Sequence, residues 1–589
     1  MGPPPLIIAM GTTTKPVIYK IDDNLQGLQA FQKELAAHSS EKEKMILLDY
    51  PTVYIHHWKS KDTYEVYIGE SNHVFQRTKQ HFDKSDDASN WQYQLKKNSA
   101  NLYIIGHEHF NKSLTLDIEN RLMLYMMSID RVKKLHNKRG NPQNRYYPDE
   151  ETNEIFRSIW NRLRRADSSL FPKESAIKDS AIFKASPLHR LTQEQENIKD
   201  AIVHKVFSAL KKDEREQLIF IDGEAGTGKT VLNSSTFYEL YLNAEEHKID
   251  SLTCCLLVNH DEQITVYKQI AEKLGLGDVV CKPTVFINHH SIDEPVDVAF
   301  IDEAHLLLTQ GKQSYQGSNQ LADILKRARV TVVMFDENQI LTTEQYWEAQ
   351  ILDHFRNAAK ESGNYFQLTN QMRMAASPET IAWIDDFTKN KKVSKIPSDS
   401  TGYEVKIFEC PADLETAIKK RASEEEHELS RIVATYDWEY RKNSSMKSRM
   451  LKYWEVLIGD WHKPWNRELD RDLDPKTRRK NKTLSWAEQP QTIDEIGSTF
   501  TIQGFDLNYA GVILGPSVKY RDGKIVFDSA ASFNTKATRN RTLSDGTKKK
   551  FGETLIQHEV RVLMTRGVNG LYIYACDEEL RKVLKDAMH

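Results

Sequence analysis

The sequence predicts an α/β protein, with a small strand-bearing domain ahead of a parallel-sheet core, and three observations predict it. An apolar run, Gln217–Ile221, leads into the glycine-rich octapeptide Gly223-Glu-Ala-Gly226-Thr-Gly228-Lys229-Thr230 and then into a helical pattern of Val231, Leu232, Phe237, Tyr238, Leu240 and Tyr241. Two further apolar runs end in polar residues, Val298–Ile301 in Asp302-Glu303 and Thr331–Phe335 in Asp336-Glu-Asn-Gln339. Buried parallel strands end this way, with chemistry at their carboxyl ends. Nearer the amino terminus, Thr52–Ile55 and Tyr64–Ser71 carry the β-branched and aromatic residues of a hairpin.

At 589 residues the chain has room for three or four domains. Its 81 Lys and Arg nearly balance 84 Asp and Glu, so any surface for a polyanion must be a local patch. The five cysteines (254, 255, 281, 410 and 576) form no C-x-x-C pair and no His-Cys metal spacing, which fits reduced thiols in a cytosolic protein. The short apolar run Leu6–Met10 reads as neither signal peptide nor anchor, and no window is apolar enough for a membrane span. The chain is expected to be soluble and cytoplasmic, with no membrane partner.

The octapeptide matches G-x-x-x-x-G-K-[ST]. Glycines let backbone N–H groups close around phosphates, and the following helix adds positive potential at the same point. Lys229 is expected to reach the β- and γ-phosphates, and Thr230 to ligate Mg²⁺ with Asp302 holding the metal's water shell. Glu303 is placed to orient or deprotonate the attacking water. The expected chemistry is hydrolysis of a nucleoside triphosphate, with ATP and Mg²⁺ as cofactors.

Further motifs, in order, resemble those of superfamily 1 helicases. Leu191-Thr-Gln-Glu-Gln195 precedes the loop, where that family's glutamine reads adenine. The strand ending at Gln339 resembles the γ-phosphate-sensing motif, and Leu368-Thr-Asn-Gln-Met-Arg373 resembles the motif that opens the second lobe and supplies one arginine. Thr501-Ile-Gln503-Gly504-Phe-Asp506 resembles the Q-G-x-[ED] element, and Val562-Leu-Met-Thr-Arg566 resembles V-A-L-T-R, with Arg566 as the second arginine. The resemblance implies two RecA-like lobes clamping one ATP. The wording FIDEAH, QMR and VLMTRG-x-x-GLYIY is similar to the Schlafen-like helicase group, in which ATP turnover can survive without unwinding.

Upstream, Thr52-Val-Tyr54-Ile, Tyr67-Ile68-Gly69, Arg77, His81 and Glu119 resemble a GIY-YIG nuclease domain, with Asn137 near the family's terminal asparagine. Thr52-Val53 stands where Gly-Ile is usual. The resemblance implies a tyrosine base, either Tyr54 or Tyr67, with His81 as helper or competitor. It also implies Arg77 as a phosphate clamp and Glu119 as the ligand of one Mg²⁺ or Mn²⁺.

The expected organisation is an N-terminal extension (1–45), the nuclease domain (46–142) and a helical connector (143–190). A first ATP-binding lobe (191–362) follows, then a second lobe (363–589) with a basic, tryptophan-rich insertion (440–485). In that insertion Lys447, Arg449, Lys452, Trp454, Trp461, Lys463 and Trp465 suit either a single-strand platform or an insertion packed on the second lobe. The basic run Lys536–Lys550 reads as a flexible loop. The sequence thus points to an ATP-dependent nuclease–helicase acting on nucleic acid, DNA favoured and RNA second, in a setting such as antiphage defence. A homo-oligomer or a defence-system partner protein is compatible with such a fusion. Two alternatives are an ATP-gated nuclease without unwinding, its substrate open to RNA, and a nucleotide-switched DNA-binding scaffold with an inactive nuclease fold.

Overall fold

Alternating β-branched and aromatic residues make Thr52–Ser60 and Thr63–Ser71 an antiparallel hairpin, turned at Lys61 with φ 59°. The computed structural model describes residues 15–83, 90–137, 149–244, 252–312, 315–424, 427–441 and 452–588. These form two compact units, one of residues 1–190 with 269–278, the other of 191–268 with 279–589. The expected run Leu6–Met10, the start of the connector and the basic residues Lys447 and Arg449 lie outside the described residues.

In the first unit the hairpin sits inside a five-stranded sheet, ordered Val17–Asp22, Ala100–Gly106, Thr52–Ser60, Thr63–Ser71, Val132–Leu135. All pairings are antiparallel except the last. The extension therefore contributes an edge strand, and its helix Leu25–His38 buries Leu28, Phe31 and Leu35. The connector helix Asp149–Ala166 buries the expected stripe of Ile155, Phe156, Ile159, Trp160 and Leu163.

The second unit holds two all-parallel sheets, the RecA-like lobes. The first runs Tyr365–Leu368, Gln217–Gly223, Ala328–Phe335, Val296–Ile301, Cys254–Leu257, Val280–Cys281. The second runs Glu404–Ile407, Gly567–Ala575, Leu507–Leu514, Arg431–Ala434. Central strands covered on both faces need continuous apolar sequence, which is why the runs are unbroken rather than alternating.

One open choice is decided and one expectation changes. Of the two readings of the insertion, the one packed on the second lobe holds for the tryptophans: Trp454 and Trp465 are buried with Ile432, Ile513 and Tyr572 in the core of the second lobe, and Trp461 packs against that cluster. Indoles of this size gain most by burial, which leaves the helix Pro475–Asn481, with Arg478, Arg479 and Lys480, as the exposed basic face. Residues 536–550 are not a loop but a short helix, Thr535–Thr538, and a hairpin of Asn540–Thr542 with Lys548–Lys550. Ala537, Phe551 and Leu555 from this segment enter the core of the first lobe, and Tyr346 stacks on Phe551 at 3.8 Å. Among the described residues no helix is long and apolar enough to cross a membrane, and all five cysteines are free.

Candidate active sites

The glycine loop closes the strand Gln217–Gly223 onto the helix Lys229–Asn243. Gly226 (φ 86°) and Gly228 (φ 78°) take left-handed conformations that side chains disfavour. Crowding excludes a side chain as well: a Cβ at Gly226 would stand 2.6 Å from the Cβ of Arg373, and one at Gly228 would stand 2.2 Å from Nε2 of Gln195. A Cβ at Gly223 would meet Oγ1 of Thr227 at 2.7 Å. The loop is therefore overlaid by the two motifs that sequence places around it. Gln195 donates to the Thr227 carbonyl at 3.1 Å, and the Met372 N–H donates to the Gly226 carbonyl at 2.8 Å.

Lys229 Nζ donates to the Gly223 and Glu224 carbonyls at 2.7 and 2.8 Å and lies 3.5 Å from Asp336 Oδ2. Thr230 Oγ1 donates to Asp302 Oδ2 at 3.2 Å, and Tyr267 donates to the same oxygen at 2.6 Å. Burial, then the charge of Glu303, pushes the Asp302 carboxyl up. Glu303 goes the other way: burial opposes its charge, but His305, Lys229 and Arg566 outweigh burial and hold it below the usual range. Glu303 is also left-handed at φ 49°, a strained backbone of the kind that persists at functional sites. Thr230 and Asp302 offer hard oxygens beside a lysine and a phosphate loop, a donor set that fits Mg²⁺.

The second lobe reaches this centre along two chains of polar contacts. Arg566, fully buried, donates to Gln339 Oε1 at 3.0 Å, and Gln339 donates to Asp336 Oδ2 at 2.7 Å, which returns to Lys229. Gln503 Nε2 lies 3.3 Å from His305 Nε2, whose other nitrogen is 3.5 Å from Glu303 Oε2. Gly504 (φ 85°) admits Gln263 so closely that a Cβ would stand 2.6 Å from its Nε2, and Gln263 in turn donates to Glu303 at 3.4 Å. Arg373 pairs with Asp506 at 2.5 Å. Burial and then Arg373 lower Arg566 from its ordinary value.

Sequence reasoning missed several partners. Glu224, an unspecified position of the motif, takes Arg561 at 2.6 Å and Lys389 at 2.7 Å, both from the second lobe, and Asp385 pairs with the same two cations. Glu194 accepts from Thr369 Oγ1 at 2.9 Å and Asn370 at 3.1 Å. A cavity of about 280 Å³ lies beside the loop, lined by Glu224, Thr227, Gln371, Arg373, Asp385 and Arg561. A second cavity, about 670 Å³, runs between the lobes past His260, Lys312, Arg467, Lys482, Phe500 and Lys536. No motif pointed to Glu224 or Arg561, because each gains meaning only through a distant partner.

In the first unit, the sheet and the helices Val74–Asp83 and Lys112–Met127 bring Tyr54, Tyr67, Arg77, His81 and Glu119 together. Tyr54 Oη lies 3.3 Å from His81 Nε2. Gly69 stands opposite Tyr54 in the hairpin, and a Cβ there would meet the Tyr54 hydroxyl at 2.4 Å. Partial burial works against the charge of Arg77, yet the neighbouring Tyr54 and Tyr67 hydroxyls hold it above its ordinary value. Burial, then Tyr67, pushes the Tyr54 phenol well above its ordinary value against the pull of Arg77. Tyr67 is only half-buried and stacks on Trp91 at 4.2 Å. Asn137 clasps the hairpin, accepting from Ile68 N–H at 3.0 Å and donating to its carbonyl at 2.6 Å. Glu119 is 3% exposed. No group of three or more His, Cys, Asp and Glu that could hold a metal ion occurs among the described residues.

Comparison with known proteins bears mainly on the second unit. Residues 216–577 match the family model described as Schlafen group 3, DNA/RNA helicase domain. An uncharacterised protein of Saccharomyces cerevisiae is 32% identical over 435 residues, spanning 67% of this chain and 90% of that protein. Among solved structures, a DEAD box protein from Methanococcus jannaschii overlays with a TM-score of 0.23 at 12% identity, covering 68% of this chain and 94% of that one. Saccharomyces cerevisiae Dbp5 bound to RNA and ADP BeF3 gives 0.21 at 11% identity, covering 73% and 89%.

Proposed function

Because the chain belongs to the Schlafen group 3 DNA/RNA helicase domain family, we propose that it couples a helicase-like ATPase to cleavage of nucleic acid by its N-terminal unit. The ATPase half follows from the second unit. Lys229 and the loop N–H groups bind the phosphates, Glu303 orients and deprotonates the attacking water, and Arg373 and Arg566 oppose the charge that develops on the γ-phosphate. Thr230 and Asp302 would hold Mg²⁺, which would supply charge neutralisation at the phosphates.

The observation that carries the nuclease half is the meeting of Tyr54, Tyr67, Arg77 and His81 on one sheet face, with the hairpin clasped by Asn137. Tyr67 is the better base, since burial and the His81 contact commit Tyr54 to its protonated form. Arg77 clamps the scissile phosphate, and Glu119 would hold Mg²⁺ or Mn²⁺ there. DNA is the favoured substrate and RNA the second. The basic helix Pro475–Asn481 and the cavity lined by Lys312, Lys482 and Lys536 offer the strand a positive path.

A second reading, an ATP-gated nuclease that does not unwind, is supported by residues 537–555. This segment of the second lobe is built into the first lobe's core, which restrains the lobes from parting. The test uses wild type, Glu119→Ala and Lys229→Ala on labelled single- and double-stranded DNA and RNA, with and without ATP. Cleavage lost in Glu119→Ala and altered in Lys229→Ala is the expected result. Strand displacement by wild type would remove the gate reading. ATP hydrolysis without cleavage of any substrate would remove the nuclease and leave the scaffold.

A further inference from the structure

One helix touches both the cavity between the lobes and the acids of the ATP site. The helix Asp261–Leu274 follows the strand Cys254–Leu257 of the first lobe. Residues three or four apart share one face of a helix, so its side chains divide by position. Asp261, Glu262 and Thr265 line the cavity of about 670 Å³. Gln263 and Tyr267, also four apart, face the end of the strand Val296–Ile301. Gln263 donates to Glu303 Oε1 at 3.4 Å, and Tyr267 donates to Asp302 Oδ2 at 2.6 Å. One helix face thus holds both acids. Both side chains are buried, and Gln263 Oε1 makes no hydrogen bond.

The cavity face of the same helix is gripped by the second lobe. Glu262 pairs with Arg467, which lines the cavity together with Lys312, Lys482 and Lys536. Arg467 and the preceding Asn466 are both left-handed, at φ 70° and 57°, although neither is glycine. Such strain persists where the surroundings fix a side chain's direction. Apart from Glu262, the acid paired with Arg467 is Asp470, at 3.7 Å. Glu262 Oε2 is buried and makes no hydrogen bond. A phosphate entering the cavity would compete with Glu262 for this guanidinium, since both offer it the same charged oxygens. The first turn of the helix therefore has two arrangements, with Arg467 on Glu262 or with Arg467 on phosphate.

From this geometry we infer that the helix Asp261–Leu274 relays occupancy of the cavity by a single nucleic-acid strand to the ATP site, with Gln263 and Tyr267 as positioning residues. The inference rests on the ATPase and on the strand path proposed above, and names what joins them. Arg467 restrains the first turn through Glu262, and a nucleic-acid strand that takes Arg467 releases it. Any shift of the turn is felt by Glu303 and Asp302 together, because their two partners sit one turn apart on a single helix. Gln263 and Tyr267 act through those acids, so they set how fast ATP is hydrolysed without taking part in the bond changes.

The test measures ATP hydrolysis by full-length wild type, Tyr267→Phe, Gln263→Met and Glu262→Gln, with and without a thymidine or uridine homopolymer. Homopolymer binding by fluorescence anisotropy, ATP binding and thermal melting are read on each protein. Tyr267→Phe removes only a hydroxyl and Gln263→Met keeps the side chain's length, so each guards against a fold defect in the other. Wild type should hydrolyse ATP faster with the homopolymer. Both variants should lose about fivefold or more of that stimulation, the low end of coupling between sites, while still binding homopolymer and ATP. A merely structural role would slow both rates alike and leave their ratio unchanged. Glu262→Gln should do the reverse, binding the homopolymer more tightly and hydrolysing ATP faster without it. A wild-type ratio in Tyr267→Phe and Gln263→Met, or an unchanged Glu262→Gln, overturns the relay and leaves the ATPase standing. So does a wild type that binds the homopolymer yet hydrolyses ATP at one rate throughout. A wild type that hydrolyses ATP but binds no homopolymer overturns the strand path and the relay. One that hydrolyses no ATP overturns the ATPase reading, and the relay with it.

Discussion

The two sites bury charge in opposite ways. In the ATP site each buried charge meets a counter-charge or a fixed dipole: Lys229 with Asp336, Glu303 with His305, Arg561 with Glu224 and Asp385. There Glu303 and Asp336 are held below the usual carboxylate range although buried, and only Asp302, beside Glu303, is pushed up. In the N-terminal site, phenols and imidazoles are packed among aromatic rings with few formal charges, and burial moves the proton affinity instead, as at Tyr54. Cancelled charge fixes geometry; uncancelled polarity sets when a proton leaves. Substitutions in the first site should therefore act on rate and stability at every pH, and those in the second on the pH profile.

The largest expected effect is at Arg566. Arg566→Lys keeps a cation but loses the fork that reaches Gln339 and the Phe505 carbonyl. Single-turnover ATP hydrolysis should fall about a thousandfold, the lower end of what a transition-state arginine supplies. A rate within tenfold of wild type would break the contrast, because the chain from Arg566 to Lys229 would then be scaffolding. Next is Glu303→Gln, which should lower kcat about a hundredfold with ATP binding retained. ATP affinity measured by equilibrium binding separates the two, and a change confined to affinity would assign Glu303 a binding role.

Gly504→Ala probes the joint between lobes. Its φ of 85° disfavours any side chain, by about 1–2 kcal/mol, and the new methyl would press on Gln263. A lower melting temperature should accompany a several-fold loss of ATP hydrolysis, because Gln263 is hydrogen-bonded to Glu303. Loss of stability with full activity would show that Gln263 does not help place the acid.

Much of the ATP site was legible because the fold puts its chemistry at strand ends, where a motif and an apolar run announce each other. Gly223 to Thr230, Asp302, Gln339, Arg373, Gln503 and Arg566 do converge on one centre. What could not be read was pairing. Nothing in the octapeptide says that Glu224 meets Arg561, a contact that exists only once two sheets have closed together, or that Tyr267 meets Asp302, a contact made only when a helix packs back on its own sheet. The same reason hid the extension: Asp23 is an ordinary acid until a strand beside Ala100–Gly106 carries it to His56. The tryptophans left two readings open because a base-rich, indole-rich stretch fits a strand platform and a buried hairpin equally well by composition.

The smallest effect tests the contrast inside the second unit, where one acid has no cation to cancel it. Glu559 is buried and accepts from the Tyr436 N–H at 2.9 Å. Burial, then Asp437, pushes its carboxyl up to about 8 from an ordinary 4.5. Its folded form thus keeps a proton that the unfolded chain has already lost. The folded state binds more protons across that window, so this group makes stability fall as pH rises from about 4.5 to about 8. Glu559→Gln removes the titration while keeping the acceptor. Its melting temperature should match wild type near pH 5 and exceed it above pH 8, by about 2–4 °C, the shift one kcal/mol produces at this domain size. Parallel curves for the two proteins would mean that Glu559 is already ionised at neutral pH. A cation or solvent would then have to reach it, and the rule that uncancelled polarity shifts the proton would fail in this unit.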